Sequence, residues 1–212
     1  MNQHTLRTFI ALPLPSQVQQ TLEQWTQQLK QRQKHGVRWV NIANLHLTIK
    51  FLGDISPEKV AAIHKVMLKT AAEFSPFNFD LEGVGAFPDL KNPRVIWVGI
   101  LAPPEMKELH HLLEKNLEPL GFPLEERSFS PHLTLGRIDR HASETEITHL
   151  AALLREPRDA SLAGVPVDAL HLYRSELRPN GPVYTVLHHV PLKPVPNHSP
   201  TSRNVKPDGD LL

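Results

Sequence analysis

Residues 45–49 read LHLTI, and residues 131–135 read PHLTL. The histidines of these two segments, His46 and His132, lie 86 positions apart, and each is followed by leucine and threonine. A segment that recurs at a fixed spacing is the signature of a repeated structural unit. We therefore predict that the chain contains two copies of one unit, each built around a His-Leu-Thr strand.

Similar elements surround both motifs in the same order. Apolar runs stand 86 positions apart at residues 9–12 (FIAL) and 95–98 (VIWV), and each precedes a helical pattern. The predicted helices carry apolar residues three or four positions apart and begin near Ser16, Ser56, Pro103 and Ser143. Further strands are predicted at residues 77–84, 163–173 and 183–190.

The repeated order of strand, helix, His-strand, helix and strand predicts an α+β fold. We expect two pseudo-symmetric lobes of antiparallel sheet, with helices packed outside and an active-site cleft between the lobes. Two of the helix starts also fit a capping box, in which a serine and the residue three positions later satisfy each other's backbone N–H groups. These pairs are Ser16 with Gln19 and Ser143 with Glu146.

Each His-strand is predicted to present its polar residues to the cleft, because side chains alternate along a strand. In the first strand the apolar face, expected to point into the core, carries Leu45, Leu47, Ile49 and Phe51. The opposite face carries His46, Thr48 and Lys50. In the second strand the corresponding polar face carries His132, Thr134 and Gly136. A two-fold relation between the lobes would bring the two polar faces together.

Two imidazoles that face one phosphate form an acid–base pair. An unperturbed histidine has a pKa of about 6.5, so near neutral pH one ring can accept a proton while the other donates one. In-line attack on phosphorus needs both, on opposite sides of the phosphate. The hydroxyls of Thr48 and Thr134 can stabilise the non-bridging oxygens. We predict His46, His132, Thr48 and Thr134 as catalytic residues, while the residues alone leave open which histidine is the acid.

Three cations are candidates for substrate binding. Arg137 suits phosphate, but strict alternation places it on the core face unless Gly136 bulges or the strand has ended before it. Lys50 shares the face of His46, with a solvated strand end as the alternative. Arg38 could bind phosphate, and its neighbour Trp39 could stack on a base or belong to the core.

The composition excludes several kinds of chemistry. The chain has no cysteine, so it has no disulfide, no thiolate zinc site and no cysteine nucleophile. It also lacks a His-Glu-x-x-His motif and a carboxylate beside either motif histidine, so we expect no metal and no cofactor. The net charge is +1 with histidine neutral, and any RNA contact must therefore come from a local patch.

Neither a signal peptide nor a membrane span is predicted, because the apolar run near the N-terminus is short and interrupted by prolines. We expect a cytoplasmic monomer without membrane contacts. Residues 1–190 are predicted to form the folded domain. Residues 191–212, rich in proline, serine and asparagine, are predicted to be a disordered tail because they offer little to bury.

Beyond the two motifs, further segments make the chain similar to a known family. They are residues 7–12 (RTFIAL), 44–53 (NLHLTIKFLG), 85–88 (GAFP), 93–99 (PRVIWVG), 129–137 (FSPHLTLGR), 175–177 (SEL) and 181–184 (GPVY). Over residues 6–190 the chain resembles the two-histidine (2H) phosphoesterases, and most closely the RNA 2′,3′-cyclic phosphodiesterases that are also called 2′-5′ RNA ligases. Gly136 departs from the alanine often found there.

The resemblance implies metal-independent hydrolysis of a terminal 2′,3′-cyclic phosphate to a 2′-phosphomonoester. It further implies that His46 donates a proton to the leaving 3′-oxygen and that His132 accepts one from water, with 2′-5′ ligation as a reverse reaction. The alternatives are a phosphodiesterase for a small nucleotide such as an ADP-ribose cyclic phosphate, and a module that binds RNA ends without turnover. Intact histidine and threonine in both motifs argue against the binding module.

Overall fold

The computed structural model describes residues 5–126, 128–156, 161–179 and 181–193. Within these residues the chain forms an α+β fold with two antiparallel sheets. The strands are β1 (Leu6–Pro13), β2 (Val37–Trp39), β3 (His46–Ile55), β4 (Phe77–Phe87), β5 (Val95–Leu101), β6 (His132–Ile138), β7 (Ser161–Val167), β8 (Ala169–Arg178) and β9 (Gly181–Pro191). The helices are α1 (Ser16–Arg32), α2 (Lys59–Ala71), α3 (Pro104–Leu117) and α4 (Glu144–Arg155). The α+β prediction is confirmed.

The two sheets have matching strand orders. The first sheet runs β3-β1-β8-β9, and the second runs β2-β6-β5-β4-β7. Each His-strand lies beside the strand that opens its unit, β3 beside β1 and β6 beside β5. Apart from β2, the second sheet therefore repeats the order of the first, as expected for two pseudo-symmetric lobes.

The lobes differ from the two units of the sequence in one respect, which is an exchange of strands. β4 belongs to the first unit but pairs with β5 in the second sheet. In return, β8 and β9 pair with each other and with β1 in the first sheet. The single strand predicted at residues 163–173 is therefore wrong, because Asp168 separates β7 of one sheet from β8 of the other.

Helix starts follow the predicted caps in one case and not in the other. Ser143 caps α4 in a full capping box with Glu146. Ser16 is instead the first residue of α1, which follows Pro15 and has no side-chain cap; Gln19 donates to the Leu14 carbonyl at 3.3 Å. Proline at position 15 fixes the entry to the helix and takes the place that the serine was predicted to hold.

The helix stripes predicted from the sequence are buried in the core. In α3 the stripe consists of Met106, Leu109, Leu113 and Leu117, each 0% exposed. α2 packs against α3 and contacts β8 and β9 of the first sheet. No helix of the described residues is long and apolar enough to cross a membrane.

The C-terminal strand continues slightly past the predicted domain boundary. β9 ends at Pro191, and Leu192 is buried with its N–H donating to the Asp168 carbonyl at 2.7 Å. The N–H of Lys193 donates to the Phe74 carbonyl at 2.8 Å. The fold therefore extends to residue 193, and the rest of the predicted tail lies outside the described residues.

Candidate active site

The two motif histidines occupy equivalent positions in the two sheets. His46 is the first residue of β3, and His132 is the first residue of β6. These two strands contact each other across the boundary between the sheets. Both side chains are half-buried.

The two imidazoles are held by the same hydrogen bond. Nδ1 of His46 lies 2.8 Å from the Asn44 carbonyl oxygen, and Nδ1 of His132 lies 2.8 Å from the Ser130 carbonyl oxygen. A carbonyl can only accept, so Nδ1 must carry the proton in both rings. The neutral rings therefore present Nε2 as an unprotonated nitrogen, and the protonated rings present it as a donor. The same ring nitrogen, Nε2, is therefore left available for proton transfer in both histidines.

Three aromatic rings pack around His46. Phe9 stacks on it with 4.5 Å between ring centroids, Tyr173 lies at 5.6 Å, and Tyr184 meets it edge-on at 5.0 Å. Burial among these rings lowers the pKa of His46 below its ordinary value, and the hydrogen bond to Asn44 only partly offsets this. Sequence reasoning missed these three residues, because their positions depend on how β1, β8 and β9 assemble beside β3.

Thr48 and Thr134 lie on the same strand faces as the histidines. Thr48 pairs across the sheet with Ala11, and Thr134 pairs with Trp97. Directly paired residues of antiparallel strands share a face, so a small side chain lies beside Thr48 and an indole beside Thr134. The two halves of the cleft therefore differ in shape although their polar residues match.

Glycines in the second sheet make room for the indole of Trp97. A Cβ at Gly85 would come within 2.4 Å of the Trp97 ring, and one at Gly99 within 3.3 Å of it. Gly99 is also the cross-strand partner of His132. The indole therefore lies flat on the cleft face, and Phe87 next to it meets His132 edge-on at 4.9 Å.

A bulge in each His-strand changes which residues face the cleft. The pairing slips between Ile10 and Ala11 opposite β3, and between Ile96 and Trp97 opposite β6. Each bulge inserts one extra residue, Ile49 in β3 and Leu135 in β6, so the alternation of faces reverses beyond it. In β3 a second shift, at Leu52, reverses the alternation again after Phe51. The fifth residue after each histidine, rather than the fourth, therefore points to the cleft.

This bulge turns Arg137 to the same face as His132. The sequence allowed for such a bulge at Gly136, but the inserted residue is its neighbour Leu135. Arg137 is exposed and pairs in register with Arg38 and with Val95. Within the described ranges no carboxylate forms an ion pair with Arg137. Burial raises the pKa of the Tyr184 hydroxyl, and the charges of Arg137 and Arg7 act on it in the opposite direction. Arg137 of the second sheet and Tyr184 of the first therefore lie near each other.

Arg38 lies beside Arg137 but is partly neutralised. Its side chain is 69% exposed, and its Nε lies 3.6 Å from a carboxylate oxygen of Asp139. Trp39 pairs with Gly136 and packs half-buried against the core. A Cβ at Gly136 would come within 2.9 Å of Val37 and 3.2 Å of Trp39, so this glycine lets β2 pack closely.

Lys50 does not face the cleft, and its assignment to substrate binding is wrong. The bulge turns it to the helix side, where it is 3% exposed and forms an ion pair with Glu114 of α3. Phe51, predicted to be a core residue, takes the outward place and is 66% exposed. Phe51 pairs in register with Phe9, which stacks on His46, so it lies on the cleft face at the position that corresponds to Arg137.

A small cavity of about 120 Å³ adjoins His46, and its walls include Asn44, Tyr173 and Tyr184. A larger hollow of about 490 Å³ lies between the second half of β3 and residues 121–125, and neither histidine lines it. Of these two hollows, only the smaller is lined by a motif histidine. Across the described parts of the chain, no three histidine or carboxylate side chains are grouped as ligands of one metal ion.

The sequence profile of the family described as "LigT like Phosphoesterase" matches residues 12–97 and 100–184. Each stretch contains one of the two His-Leu-Thr motifs. The chain belongs to this family of phosphoesterases, which is a 2H phosphoesterase family.

Relatives of known name and structure resemble the chain over most of its length. The RNA 2′,3′-cyclic phosphodiesterase of Thermotoga maritima is 33% identical over 86% of this chain and 94% of its own. The RNA 2′,3′-cyclic phosphodiesterase of Methanothermobacter thermautotrophicus is 32% identical over 85% of this chain and 95% of its own. A crystal structure of a Thermus thermophilus protein covers 90% of this chain and 100% of its own, with a TM-score of 0.73 and 31% identity. The structure of E. coli LigT complexed with 3′-AMP covers 89% of this chain and 99% of its own, with a TM-score of 0.67 and 27% identity.

Proposed function

We propose that this protein is an RNA 2′,3′-cyclic phosphodiesterase that opens a terminal cyclic phosphate by two-histidine acid–base catalysis. The observation that carries the proposal is the matched pair of imidazoles, each held by a backbone carbonyl so that its Nε2 is the reactive nitrogen. The names of the Thermotoga maritima and Methanothermobacter thermautotrophicus relatives supply the substrate class.

In the proposed reaction the two histidines act on opposite sides of phosphorus. Nε2 of His132 accepts a proton from a water molecule as that water attacks phosphorus in line. The bond from phosphorus to the 3′-oxygen breaks, and Nε2 of protonated His46 gives its proton to that oxygen. The product is a 2′-phosphomonoester with a free 3′-hydroxyl. Reversal with a 5′-hydroxyl in place of water would form a 2′-5′ linkage.

The remaining polar groups of the cleft stabilise the phosphate. Thr48 and Thr134 stand two positions after the histidines on the same faces, where their hydroxyls can donate to non-bridging oxygens as negative charge develops. Arg137 supplies a guanidinium that matches two phosphate oxygens at once. Arg38, already beside Asp139, contributes a weaker positive field at the mouth of the cleft.

An exposed aromatic side chain favours a nucleotide substrate. Phe51 lies on the cleft face and is 66% exposed, although a free phenyl ring in water costs free energy. A nucleobase that stacks on such a ring gains about 1–3 kcal/mol. The combination of a phosphate site and a stacking surface suits the end of an RNA chain.

The proposed activity is tested by assaying hydrolysis of a short RNA that ends in a 2′,3′-cyclic phosphate, with excess EDTA present throughout. We expect turnover to be unchanged by the chelator, because the groups placed to act are imidazoles, hydroxyls and a guanidinium. Activity that disappears with EDTA and returns with zinc or manganese would contradict the metal-independent mechanism.

Parallel substrates in the same assay separate the alternatives. An ADP-ribose cyclic phosphate that is turned over much faster than RNA would identify a small-nucleotide phosphodiesterase. Tight binding of the RNA end without turnover would identify a binding module. The position of the phosphate in the product tests the proposed bond cleavage directly. A 2′-phosphate means that the bond to the 3′-oxygen was broken, and a 3′-phosphate means that the bond to the 2′-oxygen was broken.

The pKa of His46 offers a further prediction. Burial lowers it, so in the free protein we expect an NMR titration of the His46 ring to give a pKa below the ordinary value of about 6.5. Tyr184→Ala removes one ring that covers His46, and because desolvation is relieved, the pKa should rise towards that value. His46 must be protonated to act as the acid, and kcat/KM reports the free enzyme, so the pH at which kcat/KM is highest should move upward in this variant. An unchanged titration would show that Tyr184 does not cause the shift.

A further inference from the structure

A buried polar cluster lies behind the first motif strand. The ammonium of Lys50 bonds to Glu114 of α3 and donates to the Pro123 carbonyl at 2.8 Å. The side chains of Lys50 and Glu114 are only 4% and 6% exposed. The second carboxylate oxygen of Glu114 accepts the backbone N–H of Glu125 at 2.9 Å. The cluster therefore ties β3 and α3 to the chain at residues 123–125.

This stretch of chain leads directly to the second motif. We call residues 121–126 and 128–131 the approach segment, since β6 begins at His132. Near its end, Phe129 stacks on His110 of α3 with 4.1 Å between ring centroids. The next residue, Ser130, provides the carbonyl that holds Nδ1 of His132 at 2.8 Å. The described approach segment is thus anchored at its middle by Lys50 and Glu114, and at its end by His110.

We propose that Lys50 and Glu114 are positioning residues that orient His132 by setting the place of the Ser130 carbonyl. The inference rests on the proposed function for its catalytic consequence. Lys50 stands four residues after His46 on the same strand, so one side chain of the first motif strand holds the backbone that aims the second histidine. Orientation of a catalytic group to within about 1 Å is worth up to 10²-fold in rate.

The chemistry of the cluster supports a precise anchor. Although burial raises the pKa of Glu114, the hydrogen bonds from Lys50 and from the Glu125 N–H outweigh it, and the pKa lies below its ordinary value. Glu114 is therefore ionised at neutral pH, and both of its oxygens are engaged. Charge-assisted hydrogen bonds are short and directional, so they fix the approach segment more closely than apolar packing would.

The test compares a variant that removes one partner of the buried ion pair with a variant that replaces both partners by apolar side chains. Lys50→Met leaves the Glu114 charge buried without its partner, and we expect a lower Tm together with a kcat about tenfold lower and a KM near that of the wild type. Lys50→Met/Glu114→Met replaces the pair with apolar side chains of similar length, an exchange that often restores stability. We expect this double variant to regain Tm but not kcat, because the hydrogen bonds to the Pro123 carbonyl and the Glu125 N–H are then absent.

A matched control removes another lysine that contacts the same part of the chain from the surface. Lys59 donates to the Leu120 carbonyl at 3.1 Å and lies 5.2 Å from the ring centroid of Phe122. Lys59→Met removes a positive charge of the same kind without reaching Pro123 or Glu125. We expect this variant to keep the kcat of the wild type.

A second readout needs no activity. Imidazole NMR spectra of the free protein report the Nδ1–H bonds of both motif histidines, and we expect Lys50→Met and the double variant to shift the His132 signals but not those of His46. A double variant that regains both Tm and kcat, or unchanged His132 signals in Lys50→Met, would overturn the positioning role. If the wild type opens no cyclic phosphate, the proposed function fails, and the His132 spectra then decide the positioning role alone.

Discussion

We expect His46→Ala and His132→Ala each to lower kcat/KM on a 2′,3′-cyclic phosphate by about 10²- to 10⁴-fold, the contribution of one general acid or base. The double variant should be little worse than either single variant, since groups that act in one concerted step are strongly non-additive. Both rings are half-buried at the start of their strands, so the fold should survive, which circular dichroism checks. His111→Ala, at an exposed position on α3, serves as the control.

A modified substrate separates the two roles. When sulfur replaces the 3′-oxygen, the leaving thiolate needs far less help from a proton, because thiols are much stronger acids than alcohols. His46→Ala should then recover most of the wild-type rate, while His132→Ala should remain impaired. If His132→Ala instead regains most of the wild-type rate on this substrate, His132 is the acid and His46 is the base. A folded single variant with near wild-type activity on the normal substrate would contradict the two-histidine mechanism.

Arg137→Met should lower kcat/KM by about 10²- to 10⁴-fold. A bidentate contact with phosphate supplies two charge-assisted hydrogen bonds, each worth about 1.5–3 kcal/mol. The side chain is exposed and has no ion pair within the described residues, so Tm should not change. The measurement is kcat/KM at constant ionic strength, together with thermal unfolding.

Arg38→Met provides the comparison, because Arg38 is the cross-strand neighbour of Arg137. Its charge is already offset by Asp139, so we expect a loss of at most about tenfold. If both substitutions lower kcat/KM by the same factor, Arg137 acts through its general positive charge rather than through a specific contact with the scissile phosphate.

Local patterns were sufficient to predict the four helices and the two strands that carry His46 and His132. The stripe of α3 is buried as its spacing indicated, and the capping box of Ser143 and Glu146 forms as predicted. His46 and Thr48 precede the bulge in their strand, so simple alternation places them correctly. These features depend on residues a few positions apart, and such short-range relations can be read from one chain.

The strand exchange could not be predicted in this way. Residues 77–84 and 163–173 carry strand patterns, but a pattern does not name the sheet in which a strand will pair. β4 pairs with β5, to which it is joined by a short connection, and that pairing takes it out of the first sheet. Several strands could pair with β1, and the folded protein shows that β8 and β9 complete the first sheet.

The sequence by itself determined two His-Leu-Thr strands, four amphipathic helices and two histidines suited to one phosphate. Tertiary structure alone decided which further residues join them, because the bulges at Ile49 and Leu135 arise from pairing with β1 and β5. One inserted residue reverses the face of every residue beyond it. Arg137 and Phe51 thereby enter the cleft, and Lys50 leaves it for a buried partner on α3.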